Sequence, residues 1–328
     1  MDVPRSNLLR TDGPVFTVVI PTYGESTYLP KVLAALLEQT YQDFDIVVVD
    51  NNPHPRTQEI CTRFAPAAEF LHCPQRGLSA ARNAGIAATQ SEYIAFLDDD
   101  SIPDATWAAE LNSGLRRHEC AAAGGRVELA LDGSLPAWYP DRLRCLLSEL
   151  RYDGADIPAL ADGQYLVGAN FCVARHSVES VGGFREDFGR DGPRLESNEE
   201  LELCRRITNA GGKIAFLADC VVRHQVPARR YTFRYFLRRS LWQGRSDAAL
   251  DVLHGRSPIF RRRSNALNIV ALFHRLCLLG LAADRKESAL AAANVLREVG
   301  YLGAYYKATR QKRGPSSQSL AVKAKASE

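Results

Sequence analysis

Short apolar runs alternate with segments of helical periodicity through the first third of the chain. The runs are β-branched or aromatic and predict buried strands at residues 16–20, 46–49, 69–71 and 93–97. Apolar residues spaced three or four apart predict helices at 29–37, 58–64, 79–88 and 106–117. This alternation of strand and helix predicts a parallel sheet with helices on both faces.

Polar residues follow three of these strands. Pro21 ends the first strand, Asp50 follows the second, and three consecutive aspartates at residues 98–100, here called the aspartate cluster, follow the last. Because the carboxyl ends of parallel strands meet along one edge of a sheet, we expect these residues to line one crevice. Adjacent carboxylates repel one another unless a cation joins them, and Mg²⁺ or Mn²⁺ prefers oxygen ligands. The alternative is a solvated acidic turn.

The turn after the first strand, PTYGES, contains none of the glycine-rich motifs that hold phosphates with backbone N–H groups. A metal ion held by aspartates is the other common means of neutralising a diphosphate. The sequence therefore favours a metal-dependent diphosphate site over a glycine-rich phosphate loop.

Composition indicates a class of protein and a compartment. The chain has 328 residues, 46% hydrophobic and 24% charged, and a net charge of only +3, which is typical of a globular protein that does not bind polyanions. Its eight cysteines include no C-x-x-C pair, which favours reduced thiols in the cytosol. The N-terminal residues lack the apolar stretch of a secretory signal, and the most apolar segment, 266–283, favours an interfacial helix. We therefore expect a cytoplasmic protein.

Seven stretches of the chain resemble, in the same order, those of the inverting glycosyltransferases of family 2. They are VVIPTYGES (18–26), IVVVDNNP (46–53), RGLSAARNAGI (76–86), YIAFLDDDSIP (93–103), VGANFCVARHSVESVGGF (167–184), NEELELCRRITNAGG (198–212) and VVRHQ (221–225). The resemblance implies an α/β protein with the GT-A fold, in which a Rossmann-like, mostly parallel sheet is flanked by helices.

The resemblance assigns the first two strand ends to the nucleotide of a nucleotide-sugar donor. Pro21, Thr22 and Tyr23 would pack on the base, with Tyr23 stacked on its ring, and Thr22 and Glu25 would bond the base or the ribose. Asp50 would accept the N3–H of a uracil-type base, which favours a UDP- or dTDP-sugar without excluding guanosine. The alternative for Asp50 is a residue that caps the turn after its strand.

Three further residues are assigned to the donor by the resemblance. Arg82 and Asn83 would line the base pocket, and Asn170 would hold hydroxyls of the donor sugar. The alternatives for the first two are an arginine that faces solvent and an asparagine that caps a helix.

The aspartate cluster contains the Asp-x-Asp pattern of the family's metal site, filled here by Asp98 and Asp100. The resemblance implies Mg²⁺ or Mn²⁺ as the cofactor, with Asp100 as the direct ligand. Asp98 and Asp99 would then bond the ribose or metal-bound water. His224 matches a second protein ligand of the metal, and its alternative is a structural hydrogen-bonding role.

Inverting transfer needs a base that removes the proton of the acceptor hydroxyl. The family places an aspartate after a glutamate at the start of a helix, and this chain has Glu199 and Glu200 there. The register gives Glu200 as the base and Glu199 as the second candidate. A third interpretation stays open, in which the acidic residues only stabilise a helix N-terminus capped by Ser197 or Asn198.

The C-terminal third differs in composition. Ten arginines lie between residues 229 and 263, and those at 229–245 are interleaved with aromatic and apolar residues. This pattern is typical of a helix on an anionic membrane, here the inner face of the cell membrane, and a helix docked on the catalytic domain is the alternative. The expected domains are a flexible tail at 1–14, a catalytic domain at 15–228, a helical extension at 229–309 and a disordered tail at 310–328.

These features together predict a metal-dependent inverting glycosyltransferase that moves a sugar from a nucleoside diphosphate to a hydroxyl of a glycan or a lipid-linked acceptor. A non-catalytic nucleotide-sugar-binding or scaffold protein is one alternative, because Glu200 departs from the family's aspartate. A sugar nucleotidyltransferase is the other, although it would need an arginine-bearing, glycine-rich loop after the first strand. No nucleic-acid-binding module accompanies the arginines, so no nucleic-acid partner is expected.

Overall fold

A computed structural model describes residues 15–24, 26–52, 54–256 and 285–312. The described residues form two compact units. The first unit comprises the chain up to Ala130, Ser148–Asp187 and Glu199–Gln225, and the second comprises Leu131–Leu147, Phe188–Asn198 and the chain from Val226 onward. The tail predicted at 1–14 and the interfacial helix predicted at 266–283 lie outside the described residues.

The first unit begins with strand–helix repeats that form the parallel half of a sheet. The elements are β1 (Phe16–Thr22), α1 (Leu29–Leu37), β2 (Phe44–Asp50), α2 (Pro55–Arg63), β3 (Ala68–His72), α3 (Leu78–Ala88) and β4 (Tyr93–Leu97). The strands lie in the order β3-β2-β1-β4, and each neighbouring pair is parallel. Every residue of β1 is buried, as expected for a strand covered on both faces.

The sheet continues with strands that pair antiparallel. The remaining elements are β5 (Ser101–Pro103), α4 (Trp107–His118), β6 (Ala122–Leu131), β7 (Asn170–Ala174), α5 (Arg175–Ser180), α6 (Glu199–Asn209) and β8 (Ile214–Val226). The full order is β3-β2-β1-β4-β7-β6-β8-β5, with β7 antiparallel to both β4 and β6, and β5 antiparallel to β8. The sheet is thus mixed rather than mostly parallel, because the regular strand–helix repeat that imposes parallel pairing ends at β4.

Two local features explain where α2 begins and how α3 packs. α2 starts at Pro55, earlier than predicted, since His54 Nδ1 accepts a hydrogen bond from the Arg56 N–H at 3.3 Å and proline suits the first helical position. α3 lies directly on β1, because a Cβ atom at Gly85 would be only 2.3 Å from Val19 Cγ1. A glycine at position 85 is therefore needed for this contact.

The cysteines of the described residues agree with the expectation of reduced thiols. Seven are described, all of them free and six of them buried. Burial raises the pKa of the Cys61 and Cys120 thiols to about 11, so both are protonated at neutral pH. Within the part of the chain that the structure describes, no helix is long and apolar enough to cross a membrane.

The second unit is mainly helical. It contains two short 3-10 helices, Asp141–Leu147 and Ala228–Tyr231, and two long helices, α7 (Phe233–Leu253) and α8 (Arg285–Lys312). Asp247 and Asp251 of α7 accept hydrogen bonds from Arg297 and Tyr301 of α8, at 2.6 and 2.9 Å. α8 ends within the segment predicted to be disordered, and residues 313–328 of that segment lie outside the described chain.

Candidate active site

The aspartate cluster lies directly after β4, as predicted, and beside the end of β1. Thr22 Oγ1 donates to Asp99 Oδ2 at 2.5 Å, and Ser26 Oγ donates to the Asp99 carbonyl at 3.4 Å. Burial and the neighbouring charge of Asp100 raise the pKa of Asp99 to about 7. Asp99 therefore ties two strand ends together, and its charged form is unfavourable unless a cation is near.

Asp100 and His224 are brought together by the pairing of β5 with β8. Ser101 of β5 lies opposite His224 in the register, and His224 Nε2 is 3.3 Å from Asp100 Oδ1. The histidine side chain is only 1% exposed, whereas that of Asp100 is 21% exposed. The Gln225 N–H donates to the Asp100 carbonyl at 2.7 Å, which fixes the backbone of the aspartate cluster. Two of the predicted metal ligands thus lie side by side.

The donor atoms at this position fit a hard or borderline divalent cation. They are the carboxylate oxygen of Asp100 and the imidazole nitrogen of His224, which are 3.3 Å apart. Among the described residues no group of three His, Cys, Asp or Glu side chains could hold a metal ion. Asp98, the third predicted ligand, has its Oδ1 3.4 Å from Arg82 Nη2. Two protein groups of this chemistry suit Mg²⁺ or Mn²⁺, ions that are commonly bound through few protein ligands.

Asp50 holds the turn that follows β2. Its side chain is fully buried, and its two oxygens accept backbone N–H groups of Asn52 at 3.0 Å and His54 at 3.1 Å. The turn-capping alternative is therefore present in the structure. Recognition of a base by Asp50 stays a prediction, and it would use the lone pairs that these bonds leave over.

The turn after β1 separates the three residues predicted to contact the base. Pro21 is buried within β1 opposite Val49, and the Thr22 hydroxyl is bonded to Asp99. Tyr23 is 50% exposed, and Arg76 donates to its hydroxyl at 3.4 Å. Tyr23 is thus the residue of this turn whose ring can stack on a base. Glu25 lies outside the described residues.

Asn51 is a site residue that the sequence interpretation missed. Its Oδ1 accepts the Gly77 N–H at 2.7 Å, and its Nδ2 donates to the carbonyls of Gln75 at 2.5 Å and Cys73 at 3.4 Å. One buried side chain therefore holds the loop between β3 and α3 beside the end of β2. The only sequence signal was an asparagine directly after Asp50, which is also common in plain turns.

Arg82 is a buried residue, and its predicted place beside the base of the donor stays a prediction. Its side chain is 1% exposed and lies 5.8 Å from the ring of Phe96 and 5.4 Å from that of Phe184. Its Nη1 is 2.8 Å from Glu199 Oε1, and its Nη2 is 3.4 Å from Asp98 Oδ1. Arg82 is therefore a buried cation between the aspartate cluster and the start of α6.

Asn83 holds a neighbouring turn. Its Nδ2 donates to the Phe184 carbonyl at 2.9 Å, and its Oδ1 accepts the Phe184 N–H at 2.8 Å. Both ends of its carboxamide are thus engaged by the turn at 182–184, and its predicted place in a base pocket stays a prediction.

Asn170 has a structural role, and its predicted contact with the donor sugar stays a prediction. It is 1% exposed, its Oδ1 accepts the indole N–H of Trp107 at 2.9 Å, and its Nδ2 donates to the carbonyls of Arg126 and Cys220 at 3.1 and 2.8 Å. Because both N–H donors and the oxygen are already bonded, the side chain ties neighbouring strands together.

Glu199 and Glu200 begin α6 but have different surroundings. Glu199 is buried and paired with Arg82, whereas Glu200 Oε1 accepts the Gly168 N–H at 3.2 Å. The other oxygen of Glu200 is buried and has no hydrogen-bond partner among the described residues. Burial, followed by the charge of Glu199, raises the pKa of Glu200 to about 8. A carboxylate of this kind is suited to accept a proton near neutral pH.

Glu199, Glu200 and Glu202 lie in the first turn of α6, where acidic residues are favourable, so the alternative in which they only stabilise the helix N-terminus stays open for the glutamates. The residues predicted to cap the helix have other contacts. Ser197 Oγ donates to Gln243 Oε1 at 3.2 Å, and Asn198 Nδ2 donates to Asp247 Oδ1 at 3.2 Å. Both side chains predicted as the N-cap of α6 are thus bonded to residues of α7.

Comparison with known sequences identifies relatives along most of the chain. A family model described as glycosyl transferase family 2 matches residues 17–180, half of the 328 residues. The chain is 25% identical over 249 residues to the glucosyl-dolichyl phosphate glucuronosyltransferase of Haloferax volcanii, which covers 73% of this chain and 78% of that protein. It is 26% identical over 256 residues to the succinoglycan biosynthesis protein ExoM of Rhizobium meliloti, covering 75% and 77%.

Solved structures share the fold. The mannosyltransferase PcManGT of Pyrobaculum calidifontis, solved with GDP-Man and Mn²⁺, superposes with a TM-score of 0.56 at 21% identity, covering 96% of this chain and 81% of that one. TarS of S. aureus, residues 1–349, gives a TM-score of 0.52 at 14% identity, covering 90% and 91%. The predicted GT-A fold is confirmed by these likenesses. The chain belongs to glycosyl transferase family 2 and is a glycosyltransferase.

Proposed function

We propose that this glycosyltransferase is a metal-dependent inverting enzyme that transfers a sugar from a nucleoside diphosphate to a hydroxyl of a glycan or lipid-linked acceptor. Two relatives support the acceptor class, because one is named for a dolichyl phosphate substrate and the other for succinoglycan biosynthesis. A structure of the same fold contains GDP-Man and Mn²⁺, which supports the donor class and the cation.

The observation that carries the proposal is the placement of Glu200 in the same unit as Asp100 and His224. Glu200 has one oxygen held by a backbone N–H, one oxygen without a hydrogen-bond partner in the part of the chain that the structure describes, and a raised pKa. In the proposed reaction its carboxylate takes the proton of the acceptor hydroxyl while the acceptor oxygen bonds to the anomeric carbon. The bond from that carbon to the diphosphate oxygen breaks on the opposite face, which inverts the configuration.

Asp100 and His224 would hold the cation, which supplies positive charge to the departing diphosphate. Thr22 and Asp99 keep this strand end in place, since their bond joins β1 to the residue after β4. Arg82 brings a second positive charge to the aspartate cluster through Asp98. In this proposal these residues position the cation and neutralise the charge of the diphosphate, while Glu200 accepts the proton of the acceptor hydroxyl.

The contacts of Asp50 are compatible with two classes of donor base, a uracil-type base and guanine. A UDP- or dTDP-sugar is favoured if a remaining lone pair of Asp50 accepts the N3–H of the base. A GDP-sugar is the second candidate, because both oxygens of Asp50 already hold the following turn. Tyr23 can stack on any of these bases, since every base has a π-face.

A donor panel tests the proposal. We expect Mn²⁺ together with one class among UDP-, dTDP- and GDP-sugars to raise the melting temperature, and the same donor to release nucleoside diphosphate when acceptor is present. NMR of the product should show the anomeric configuration opposite to that of the donor. A retained configuration would overturn the inverting mechanism.

The Glu200→Gln variant tests the base. Turnover should fall by about 10²–10⁴-fold, while the donor-induced melting shift stays near that of the wild type. Glu179→Gln, which removes an exposed carboxylate on α5, is the matched control and should leave turnover unchanged. Full turnover in Glu200→Gln would exclude this residue as the base.

The second unit supports peripheral attachment to an anionic membrane. Arg229 and Arg234 are exposed, and Phe233 between them is 47% exposed with its ring 5.1 Å from that of Trp138. This pairing of cations with an exposed aromatic ring is typical of interfacial binding. Co-sedimentation should be stronger with anionic than with neutral vesicles and should weaken with salt. Equal binding to both vesicle types would exclude the arginines as the cause.

A further inference from the structure

One buried guanidinium serves both acidic groups of the first unit. Arg82 contacts Glu199 at 2.8 Å and Asp98 at 3.4 Å, and its Cζ lies 5.8 and 5.4 Å from the ring centroids of Phe96 and Phe184. Burial lowers the pKa of Arg82, but the charges of Glu199, Asp98 and Glu200 outweigh it and raise the pKa above its ordinary value. Arg82 is therefore a permanent cation at this position.

Gly168 links Arg82 to the candidate base. A Cβ atom at position 168 would lie 2.2 Å from Arg82 Nη2, so the absence of a side chain makes room for the guanidinium. The N–H of the same residue donates to Glu200 Oε1 at 3.2 Å. The backbone that holds Glu200 is thus packed against the cation that holds Glu199.

The geometry points to Arg82 as the positioning residue that separates the roles of two adjacent glutamates: it confines Glu199 to an ion pair and leaves Glu200 as the proton acceptor. This inference rests on the proposed function, because it assumes that a glutamate of α6 accepts the acceptor's proton. It revises the prediction in which Glu199 was the second candidate for the base.

The ion pair makes Glu199 a poor base for a physical reason. If Glu199 took up a proton, Arg82 would lose its nearest negative partner and keep only the longer contact with Asp98, and a poorly compensated buried charge is costly. Among the described residues Glu200 has no ion-pair contact: its Oε1 is held by the neutral N–H of Gly168, and the Arg82 charge acts on it without direct contact. Protonation of Glu200 instead relieves repulsion from Glu199.

The titratable and charged neighbours of Glu200 are few. They are Glu199 beside it, Arg82 from α3, and the thiol of Cys204 one turn further along α6. Glu202 of the same helix is 2.6 Å from Arg206 in a separate ion pair. Arg206 is therefore a matched control for Arg82, because both arginines pair with a buried glutamate of α6.

The decisive measurement is the titration of Glu200 itself, which needs no donor or acceptor. The full chain is labelled with ¹³C at the glutamate carboxyl carbon, and the Glu200 resonance is assigned by its loss in Glu200→Gln. We expect Arg82→Gln to move this titration up by about one pH unit or more, and Glu199→Gln to move it down by a similar amount. Arg206→Gln should leave it in place, and Arg82→Lys should restore most of the wild-type value.

Each outcome decides a separate point. If Arg82→Gln folds and Glu200 titrates as in the wild type, Arg82 has only a structural role and the inference is wrong. If Arg82→Gln does not fold, Glu199→Gln carries the test, and an unchanged titration there has the same meaning. If both shifts are found but no donor is turned over, the positioning role stands and the proposed function fails. Loss of turnover at every pH in Glu199→Gln, equal to that in Glu200→Gln, would make Glu199 catalytic and overturn the inference.

Discussion

The aspartate cluster after β4 and the glutamates at the start of α6 obtain their positive charge in different ways. Glu199 and Glu202 are 6% and 1% exposed, and each lies within 2.8 Å of an arginine. Asp98 and Asp100 are 32% and 21% exposed, and their contacts with Arg82 and His224 are longer, at 3.4 and 3.3 Å. Glu199 and Glu202 are thus neutralised by arginines of the protein. The aspartate cluster is more exposed and has longer contacts, so it is suited to a cation that binds together with the substrate.

The largest expected effect tests the aspartate side of this comparison. Asp100→Asn should remove the melting shift caused by Mn²⁺ and lower turnover by about 10²-fold or more, because the departing diphosphate loses a counter-charge worth several kcal/mol. Asp45→Asn, at the exposed residue near the start of β2, is the control and should keep both properties. A wild-type response to Mn²⁺ in Asp100→Asn would show that the cation binds elsewhere.

The second expected effect tests how much a buried ion pair of α6 contributes to the stability of the protein. Arg206→Gln removes the partner of buried Glu202 and also loses bonds to the carbonyls of Val181 and Gly183. We expect a loss of about 3 kcal/mol in the free energy of unfolding, measured with urea, without a change in the response to Mn²⁺.

The comparison variant for that measurement is Arg117→Gln. Arg117 is also 2.7 Å from a carboxylate, that of Asp156, but its side chain is 55% exposed. Solvent screening should limit its loss to less than about 1 kcal/mol. Equal losses in the two variants would mean that burial does not distinguish the ion pairs.

The sequence predicted the aspartate side of the site better than the glutamate side. The strand over 93–97 was placed from its own apolar run, and the carboxylates that follow it therefore fell at the correct edge of the sheet. A local pattern was sufficient because the residues concerned are adjacent in the chain.

The contacts of Arg82, Asn83 and Asn170 could not be predicted from a local pattern. The partners of the first two are more than 100 residues away, at Glu199 and Phe184, and Asn170 bonds to Trp107 at a separation of 63 residues. Periodicity shows which face of a helix is buried but not which distant side chain meets it. The antiparallel half of the sheet escaped prediction in the same way, since β7 joins β4 across a long connection.

A third prediction uses the raised pKa of Glu200. The base must be deprotonated to act, and its pKa is about 8, so kcat/KM should fall about tenfold for each pH unit below that value. The same shift acts on stability: the stabilisation is fully present below the ordinary pKa of 4.5 and is lost progressively as pH rises from there through about 8. Glu200→Gln should therefore be more stable than the wild type above pH 8. A kcat/KM profile flat down to pH 6 would contradict this assignment.

The smallest expected effect concerns the exposed ring beside the aspartate cluster. Tyr23→Ala removes a side chain that is half exposed and available to stack on the donor base. Stacking is worth about 1–3 kcal/mol per base, and partial exposure should keep the effect near the lower limit, so we expect KM for the donor to rise by about tenfold. Because a base is bound equally in the ground and transition states, kcat should change little.

Tyr23→Phe keeps the ring and should restore KM, which separates stacking from the bond with Arg76. If Tyr23→Ala lowered kcat and left KM unchanged, the end of β1 would act on the chemical step. The aspartate side of the site would then contribute to catalysis as well as to binding of the donor and its cation.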